Sequence, residues 1–498
     1  MTAERRPRRI SPSLGLALLL IALGFALRLW HLDFQSIWRD EADSLEFTSS
    51  FVSLRKLFTQ PGHNAPLYYA LLAGWQTAAG RDLISARFFS ALWGTCGLAL
   101  LWALCRRFIQ PEAAGWALLF AACSPFWVWY SQEARVYAPL LTTALLVSWL
   151  YLDALERGGM RRWAGCVLGM AMLVYLHFMA LWLVPAYFIM GILLRPRGRG
   201  GWPAWAAAMA VLCLPAVPLA GWGMPLLLSS LFQTGHAPAS WGDMTAGLVL
   251  GFTIGPSGRL PAWLAAPALF LALLGTAGIW LAPRLAPQRL LLAPRLAPQR
   301  LLLALLAWLG VPAVGLMALS MVKPLFAERY LIFTLPALLL LMALGTAWLR
   351  RTWRPLAVAA VAAVLTASLI GIAVQDTQTI KPDFRGAAGY FLAHRQAGDL
   401  VLFLIPQAQN AFAYYAPADG AAYAPAPFAN GLPPAELDTA IRRLVGEHRR
   451  VWLVESEPAW WDRAGAVRAW LCAHARGSRE IAFHLITLIE YSGVQSFP

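Results

Sequence analysis

The chain has 498 residues, of which 59% are hydrophobic and 13% are charged, and its mean hydropathy is +0.57. Several apolar runs of about 18 or more residues exclude a soluble protein and predict a polytopic membrane protein. A net charge of +15 would suggest nucleic acid as the partner of a soluble protein. Here the basic residues lie in short Arg clusters between apolar runs, as cytoplasmic loops do, so we expect a lipid bilayer and no nucleic acid as partner.

The first apolar run, residues 11–30, follows the arginines at positions 5, 6, 8 and 9. It resembles a signal peptide, but its end, Arg28-Leu29-Trp30-His31, lacks the small residues of a cleavage site. We therefore predict an uncleaved first span with its amino terminus in the cytoplasm.

An acidic stretch, QSIWRDEADS at 35–44, follows directly on this span. Carboxylates beside a bilayer are costly and usually functional. The alternative is that Asp40, Glu41 and Asp43 cap and charge the first turn of a helix. Residues 40–60 have a helical apolar stripe and predict a helix along the membrane interface.

The next predicted elements alternate between the two sides of the membrane. Residues 66–79 are short for a crossing and predict an interfacial or half-buried helix. The run 163–194 has Arg clusters at both ends, so it predicts a hairpin with its tip near His177. The other predicted spans of this half are 86–104, 113–130, 137–154 and 203–222.

The second half begins with a predicted outer loop, 223–260, in which Met244–Ile254 predicts a surface helix. LAPRLAPQRLL at 281–291 is repeated at 292–302, and its four prolines disfavour a regular helix. We interpret it as a duplication within a cytoplasmic loop. About eleven spans are expected in all, including 262–282, 301–321, 331–349 and 355–374, which places the carboxyl terminus outside.

The composition changes to that of a soluble domain near residue 375. We therefore divide the chain into a transmembrane domain, 1–375, and an extracytoplasmic α/β domain, 376–498. The predicted strands are 400–405, 450–455 and 481–491, and the predicted helices are 384–397, 434–447 and 461–473. Six cysteines give neither a disulfide framework nor a metal-ligand spacing.

The assigned orientation collects carboxylates and cations on the outer face. Such a mixture could deprotonate a hydroxyl nucleophile and hold a phosphate leaving group, the two requirements of sugar transfer from a lipid phosphate. A phosphate leaves without a general acid, so one base is sufficient. The residues are Asp40, Glu41, His63, Asn64, Glu133, Arg135, His177, Lys323, Glu328, Arg329 and Tyr330.

Several motifs at this face carry a resemblance to a known family. They are SIWRDEADS at 36–44, HNAPLYY at 63–69, RFFSA at 87–91, SQEARVYA at 131–138, YLH at 175–177 and ERYL at 328–331. Together they resemble the glycosyltransferase family 39-like enzymes of the GT-C superfamily, which are related to protein mannosyltransferases. The resemblance covers roughly residues 10–375 and implies a GT-C fold.

The resemblance also implies a polyprenyl-phosphate-linked sugar donor used outside the cytoplasmic (inner) membrane of a bacterium. Asp40 matches the family's presumed base and Glu133 its second acidic residue; a divalent cation, Mg²⁺ or Mn²⁺, could be shared by the two. Ala42-Asp43 stands where many relatives have Ala-Tyr. The substrate-binding candidates are Glu41, His63, Arg135, Tyr137, His177, Lys323, Arg329 and Tyr330.

Structural roles remain open for several of these residues. His63 could cap a helix, His177 could be a turn residue, and Lys323 and Arg329 could anchor the chain at the headgroups. The pair Tyr68-Tyr69 is interpreted as part of an interfacial aromatic belt.

The leading function is an inverting glycosyltransferase acting on a glycan, lipid or protein acceptor in the cell envelope. A flippase or transporter of lipid-linked sugars is the main alternative, although such proteins place ionisable residues at mid-membrane, often in repeated halves. A glycan polymerase or ligase would share the outer-face site.

Overall fold

The computed structural model describes residues 11–50, 52–53, 55–56, 66–218, 220–221, 236–256, 260–285 and 298–495. Backbone contacts divide the chain into two compact units. The first consists of Met1–Leu32 and Leu54–Val374, and the second of Asp33–Ser53 and Gln375–Pro498. The sequence assigned residues 33–53 to the transmembrane domain, whereas the structure groups them with the C-terminal residues.

The first unit is helical. Within the described residues, seven helical stretches are long and apolar enough to cross a membrane, or eight if one bent pair is a single span. The chain is thus a multi-pass membrane protein, while the expected number of about eleven spans stays a prediction. The α-helices are Pro12–Leu29, Pro66–Ala79, Leu83–Leu104, Pro111–Ala122, Pro125–Ser131, Tyr137–Arg157, Met160–Leu176, Leu183–Leu194, Gly201–Leu212, Trp241–Ile254, Ala266–Leu285, Pro298–Val322, Leu335–Thr352 and Arg354–Thr377.

The bent pair, Pro111–Ala122 and Pro125–Ser131, turns by 58°. Proline at the start of the second helix cannot continue the first, and the Ser124 hydroxyl caps the new helix by accepting from the Trp127 amide. The break frees carbonyl groups of the first helix. The fully buried Arg28 guanidinium donates to two of them, those of Ala121 and Ala122, both at 3.3 Å.

The predicted hairpin over residues 163–194 is confirmed. Its arms are the helices Met160–Leu176 and Leu183–Leu194, separated by His177 and the 3₁₀ helix Phe178–Trp182. The two ends lie side by side, since Gly158 and Arg199 form an isolated β-bridge and the Arg199 amide donates to the Arg157 carbonyl at 3.1 Å. An added Cβ at Gly198 would meet the Gly158 nitrogen at 1.9 Å, so this junction has no room for a side chain.

The remaining predictions for the first unit have mixed outcomes. The helix expected over 66–79 is present with those bounds, and the helix expected from Met244 to Ile254 starts earlier, at Trp241. The four prolines were expected to disfavour a regular helix. Two of them are nevertheless helical: Pro283 lies within the last turn of one helix, and Pro298 begins the next. Residues 286–297 of the duplication lie outside the described residues.

The second unit contains a five-stranded sheet of order β2-β1-β3-β5-β4. Strands β1, β2 and β3 are parallel, and β5 is antiparallel to both β3 and β4. The strands are β1 (Asp399–Phe403), β2 (Ala421–Pro425), β3 (Arg450–Glu455), β4 (Gly477–Phe483) and β5 (Ile486–Ser492). The helices are Arg39–Phe47, Phe384–His394, Ala408–Tyr415, Pro434–Val445, Pro458–Trp461 and Ala466–His474.

This confirms an α/β architecture with three corrections of detail. The single strand expected over 481–491 is a hairpin, β4 and β5, which turns at Leu485 with a φ of 58°. The strand β2 and the helix Ala408–Tyr415 were not predicted, since AAYAP and the Ala- and Tyr-rich helix have no clear apolar period. The helix expected over 384–397 ends earlier, at His394, and the helix expected over 461–473 starts later, at Ala466.

Candidate active site

The acidic stretch forms the helix Arg39–Phe47 in the second unit. Its N-cap residue is Trp38, whose side chain makes no capping hydrogen bond, so Asp40 lies inside the first turn and is not the cap. Asp40 is half-buried, with its side chain 20% exposed, and Oδ1 lies 3.6 Å from Arg39 Nε. A carboxylate at this place interacts favourably with the helix dipole and remains accessible.

Glu41, the neighbour of Asp40, has a different environment. It has no exposed surface, and Oε2 lies 3.0 Å from Nζ of Lys381, which is itself buried. Successive helical residues point about 100° apart, which explains how adjacent carboxylates can be so differently exposed. The carboxylate of Glu41 is therefore not accessible in this structure, and its predicted role in substrate binding stays a prediction.

A second group of polar residues lies at one end of several helices of the first unit. The segment 132–136 joins the bent pair to the helix Tyr137–Arg157, and Gln132 ties it to the end of the first helix by donating to the carbonyls of Leu27 (3.3 Å) and Trp30 (2.8 Å). Glu133 on this segment is buried at 2% exposure.

Arg135 is held from two sides. Its Nη1 donates to Tyr69 Oη at 3.1 Å, and its carbonyl accepts from Ser90 Oγ at 3.4 Å. Tyr68 and Tyr69 are buried, at 0% and 4% exposure. Their interpretation as belt residues is wrong, because they pack inside the protein, where Tyr69 supports Arg135.

The 3₁₀ helix Glu328–Thr334 contributes the next cation. Arg329 Nε donates to Tyr137 Oη at 3.0 Å, which links this helix to the one that follows Arg135. Glu328 accepts from Tyr130 Oη at 3.5 Å, and Tyr330 Oη lies 3.1 Å from His236 Nε2. The two partners in each of these contacts are far apart in sequence, so the fold brings them together.

His177 lies between these side chains at the tip of the hairpin, with 2% exposure. Its ring centroid is 5.1 Å from that of Tyr330 and 6.5 Å from that of Tyr137. Nδ1 accepts from the Met179 amide at 3.2 Å, so the neutral ring has its proton on Nε2. Burial, and then the positive charges of Arg135 and Arg329, lower the pKa of His177 to about 3.

The structure thus joins five predicted residues of the first unit: Arg135, Tyr137, His177, Arg329 and Tyr330. Lys323 follows the helix Pro298–Val322 and is half-buried. His63 lies outside the described residues. Sequence reasoning missed Tyr69 and His236; Tyr69 belongs to the HNAPLYY motif, which was a usable signal, whereas His236 in a long loop had none.

The arrangement suits the binding of an anion. The guanidinium groups of Arg135 and Arg329 flank a histidine that stays neutral at physiological pH. A tyrosine hydroxyl group orients each guanidinium group. Guanidinium groups hold phosphate through parallel hydrogen bonds. In the described part of the chain, no three His, Cys, Asp or Glu side chains are grouped so that they could hold a metal ion.

Comparisons with known proteins find a matching family over part of the chain and solved structures with a similar fold. Residues 63–222 match the family described as dolichyl-phosphate-mannose-protein mannosyltransferase. This range contains Arg135, Tyr137 and His177. A search of the curated proteins finds no match.

Solved structures share the fold. ArnT from Cupriavidus metallidurans bound to undecaprenyl phosphate has a TM-score of 0.60 at 14% identity over 97% of this chain and 99% of that chain. The oligosaccharyltransferase of Archaeoglobus fulgidus in the apo form has a TM-score of 0.56 at 12% identity over 92% of this chain and 71% of that one. AglB from the same organism, with an inhibitory peptide and a dolichol-phosphate, has a TM-score of 0.54 at 11% identity and the same coverage. The chain therefore has the GT-C fold.

The low pKa of His177 predicts a specific acid sensitivity. Below about pH 6.5 the unfolded chain binds a proton at this histidine, whereas the folded chain does not until about pH 3. Stability should fall with decreasing pH across this window by up to about 1.4 kcal/mol per pH unit. Melting of purified protein in detergent should show this loss, and His177→Asn, which keeps an acceptor near Nδ1, should lose less. Parallel curves for the two proteins would contradict the assignment.

Proposed function

We propose that the chain is an inverting glycosyltransferase that moves a sugar from a polyprenyl-phosphate carrier to a hydroxyl group of a glycan, lipid or protein. The GT-C fold and the match over residues 63–222 support this proposal. Relatives of the same fold have been solved with undecaprenyl phosphate and with a dolichol-phosphate, which supports a lipid-phosphate donor. The bacterial cytoplasmic membrane is the proposed location.

One observation carries the proposal: the guanidinium groups of Arg135 and Arg329, which donate to Tyr69 and Tyr137, lie around the buried His177. When the bond between the sugar and the phosphate breaks, negative charge accumulates on the phosphate oxygen. Cations that are already held in position, in a site that excludes part of the water, stabilise this developing charge without having to move during the reaction. We assign the phosphate of the donor to these two arginines, with Lys323 as a further cation on the same side and Tyr330 beside them.

Asp40 is the proposed base. It accepts the proton of the acceptor hydroxyl while the acceptor oxygen bonds to the anomeric carbon, and the electron pair of the broken bond stays on the phosphate. Attack from the side opposite the phosphate inverts the anomeric centre. The partly exposed carboxylate on a helix suits this role better than the buried Glu41.

Glu133 is the proposed residue that places the acceptor. Its position on the segment that also holds Arg135 fits a placing role. Whether Mg²⁺ or Mn²⁺ takes part, with Asp40 and Glu133 as the candidate ligands, stays a prediction from the sequence. Such an ion would stabilise the leaving phosphate.

The base is tested by Asp40→Asn. Asparagine keeps the size of the side chain but cannot accept the proton, so transfer should fall by roughly a hundredfold or more. The measurement is transfer of a single residue from a radiolabelled polyprenyl-phosphate monosaccharide by purified enzyme. Glu46→Gln, an exposed carboxylate on the same helix, is the matched control and should keep normal turnover. Near-normal turnover of Asp40→Asn would contradict the assignment as base and leave Asp40 only its favourable interaction with the helix dipole.

The same assay separates the alternatives. A flippase or transporter moves the donor without transferring its sugar, and a polymerase or ligase requires a preassembled glycan. Transfer of one sugar residue by the wild-type protein is therefore the result that supports the proposal.

The phosphate site is tested by Arg329→Ala. The variant loses the cation that Tyr137 orients, so the apparent KM for the donor should rise by about tenfold or more while that for the acceptor changes little. Tyr137→Phe removes only the orienting hydroxyl and should have a smaller effect of the same kind. An unchanged donor KM in Arg329→Ala would contradict the assignment.

The proposed orientation places the amino terminus in the cytoplasm and residues 375–498 outside. Cys472 is exposed, so an impermeant maleimide should label it in intact cells. In a Cys472→Ser background, Arg197→Cys at the base of the hairpin should react only after permeabilisation. Arg197 is exposed, whereas residue 198 has no room for a side chain. Labelling of residue 197 in intact cells would refute the orientation.

A further inference from the structure

The helix that contains Asp40 is joined to the C-terminal segment of its own unit by a buried ion pair. Lys381 Nζ and Glu41 Oε2 are 3.0 Å apart, with side-chain exposures of 6% and 0%. The ammonium group also lies 5.9 Å from the centre of the Trp38 ring. Removing one member of a buried ion pair strongly destabilises the protein, because the remaining charge stays buried without the opposite charge beside it.

The side chain of Gln35 links the two backbone segments that carry this pair. The Gln35 amide oxygen accepts from the backbone amides of Ile380 (3.1 Å) and Lys381 (3.2 Å). Its amide nitrogen donates to the carbonyls of Gln375 (2.7 Å) and Gln378 (2.8 Å). Gln35 therefore sets the register between the segment before Asp40 and the segment that contains Lys381.

The rest of the helix docks at the carboxyl ends of the parallel strands. Arg39 Nη1 pairs with Glu457 Oε2 at 2.9 Å, two residues after β3. Asn410, on the helix that follows β1, donates to Asp43 at 3.2 Å. The connections from β1 to β2 and from β2 to β3 lead to opposite sides of β1, so a topological switch point lies between β1 and β3. Open α/β sheets bind their ligands at this point.

We propose that the C-terminal segment holds the base in place, and that Lys381 is the positioning residue through which it acts. The crevice that binds a separate ligand in other α/β sheets holds the protein's own helix Arg39–Phe47. Lys381 acts through Glu41, one residue from Asp40, and touches neither sugar nor phosphate in this scheme. The proposal rests on the assignment of Asp40 as base, and it gives Glu41 a role other than substrate binding.

A double-mutant cycle tests the proposal. Lys381→Met and Glu41→Gln each leave one buried charge without its partner, so each should displace the helix and lower kcat by roughly tenfold to a hundredfold. The donor KM should change little, because Arg135 and Arg329 are not altered. The double variant leaves no charge unpaired and should recover kcat to within about fivefold of wild type.

The recovery is the decisive result. If Glu41 contacts the substrate, the double variant stays as impaired as Glu41→Gln, and the proposal is overturned. Where a single variant fails to fold, the double variant and wild type decide the question. Asp33→Asn is the matched control: it breaks the exposed pair Asp33–Arg385, with exposures of 59% and 43%, and should change kcat by less than about twofold.

Hydrogen exchange of the amides of residues 41–47 separates this proposal from the proposed function. Lys381→Met should lose protection there, the double variant should regain it, and Asp33→Asn should keep it. This readout needs no activity, so it remains valid if Asp40→Asn turns out to be active and the proposed base is wrong. Unchanged protection in a folded Lys381→Met protein overturns the positioning role.

Discussion

The geometry of the site around Arg135, His177 and Arg329 depends on how the protein compensates the break between residues 122 and 125. A helix that stops inside an apolar environment leaves carbonyl groups without donors, and each such group is costly there. Arg28 meets this need with a fully buried guanidinium that donates to the carbonyls of Ala121 and Ala122 and lies over the Trp127 ring at 5.6 Å. The break redirects the chain into the segment 132–136. Without it, Glu133 and Arg135 would continue along a straight helix.

The site itself shows how a protein can concentrate positive charge without protonating its histidine. His177 is kept neutral first by burial and then by two arginines. Its proton sits on Nε2, because Nδ1 accepts from a backbone amide. A neutral ring can then pack against Tyr137 and Tyr330 and fix the spacing of the cations. The tyrosine hydroxyl groups fix the direction of each guanidinium.

Much of the fold could be predicted from the sequence because membrane chains obey strong local rules. Arg clusters at both ends of the apolar run 163–194 predicted a hairpin, and the short run at 66–79 predicted a helix with the bounds that the structure has. The β4–β5 hairpin was missed because its turn, His484-Leu485, contains no Gly, Pro, Asn or Asp, although Leu485 adopts a positive φ. The site residues Arg135, His177 and Arg329 were predicted, whereas the different environments of Asp40 and Glu41 depend on a lysine 340 residues away, which no local pattern reveals.

The discontinuous second unit has a consequence for the order in which the protein is made. The helix Arg39–Phe47 is among the first segments to leave the ribosome, but its partners Lys381, Asn410 and Glu457 are synthesised only after the last of the long apolar helices. During this time the polar helix lacks the crevice that holds it. Contacts between segments so distant in the chain form slowly. The acidic helix therefore reaches its final position only when synthesis is nearly complete, so an incomplete chain can be inserted in the membrane and still lack an ordered Asp40.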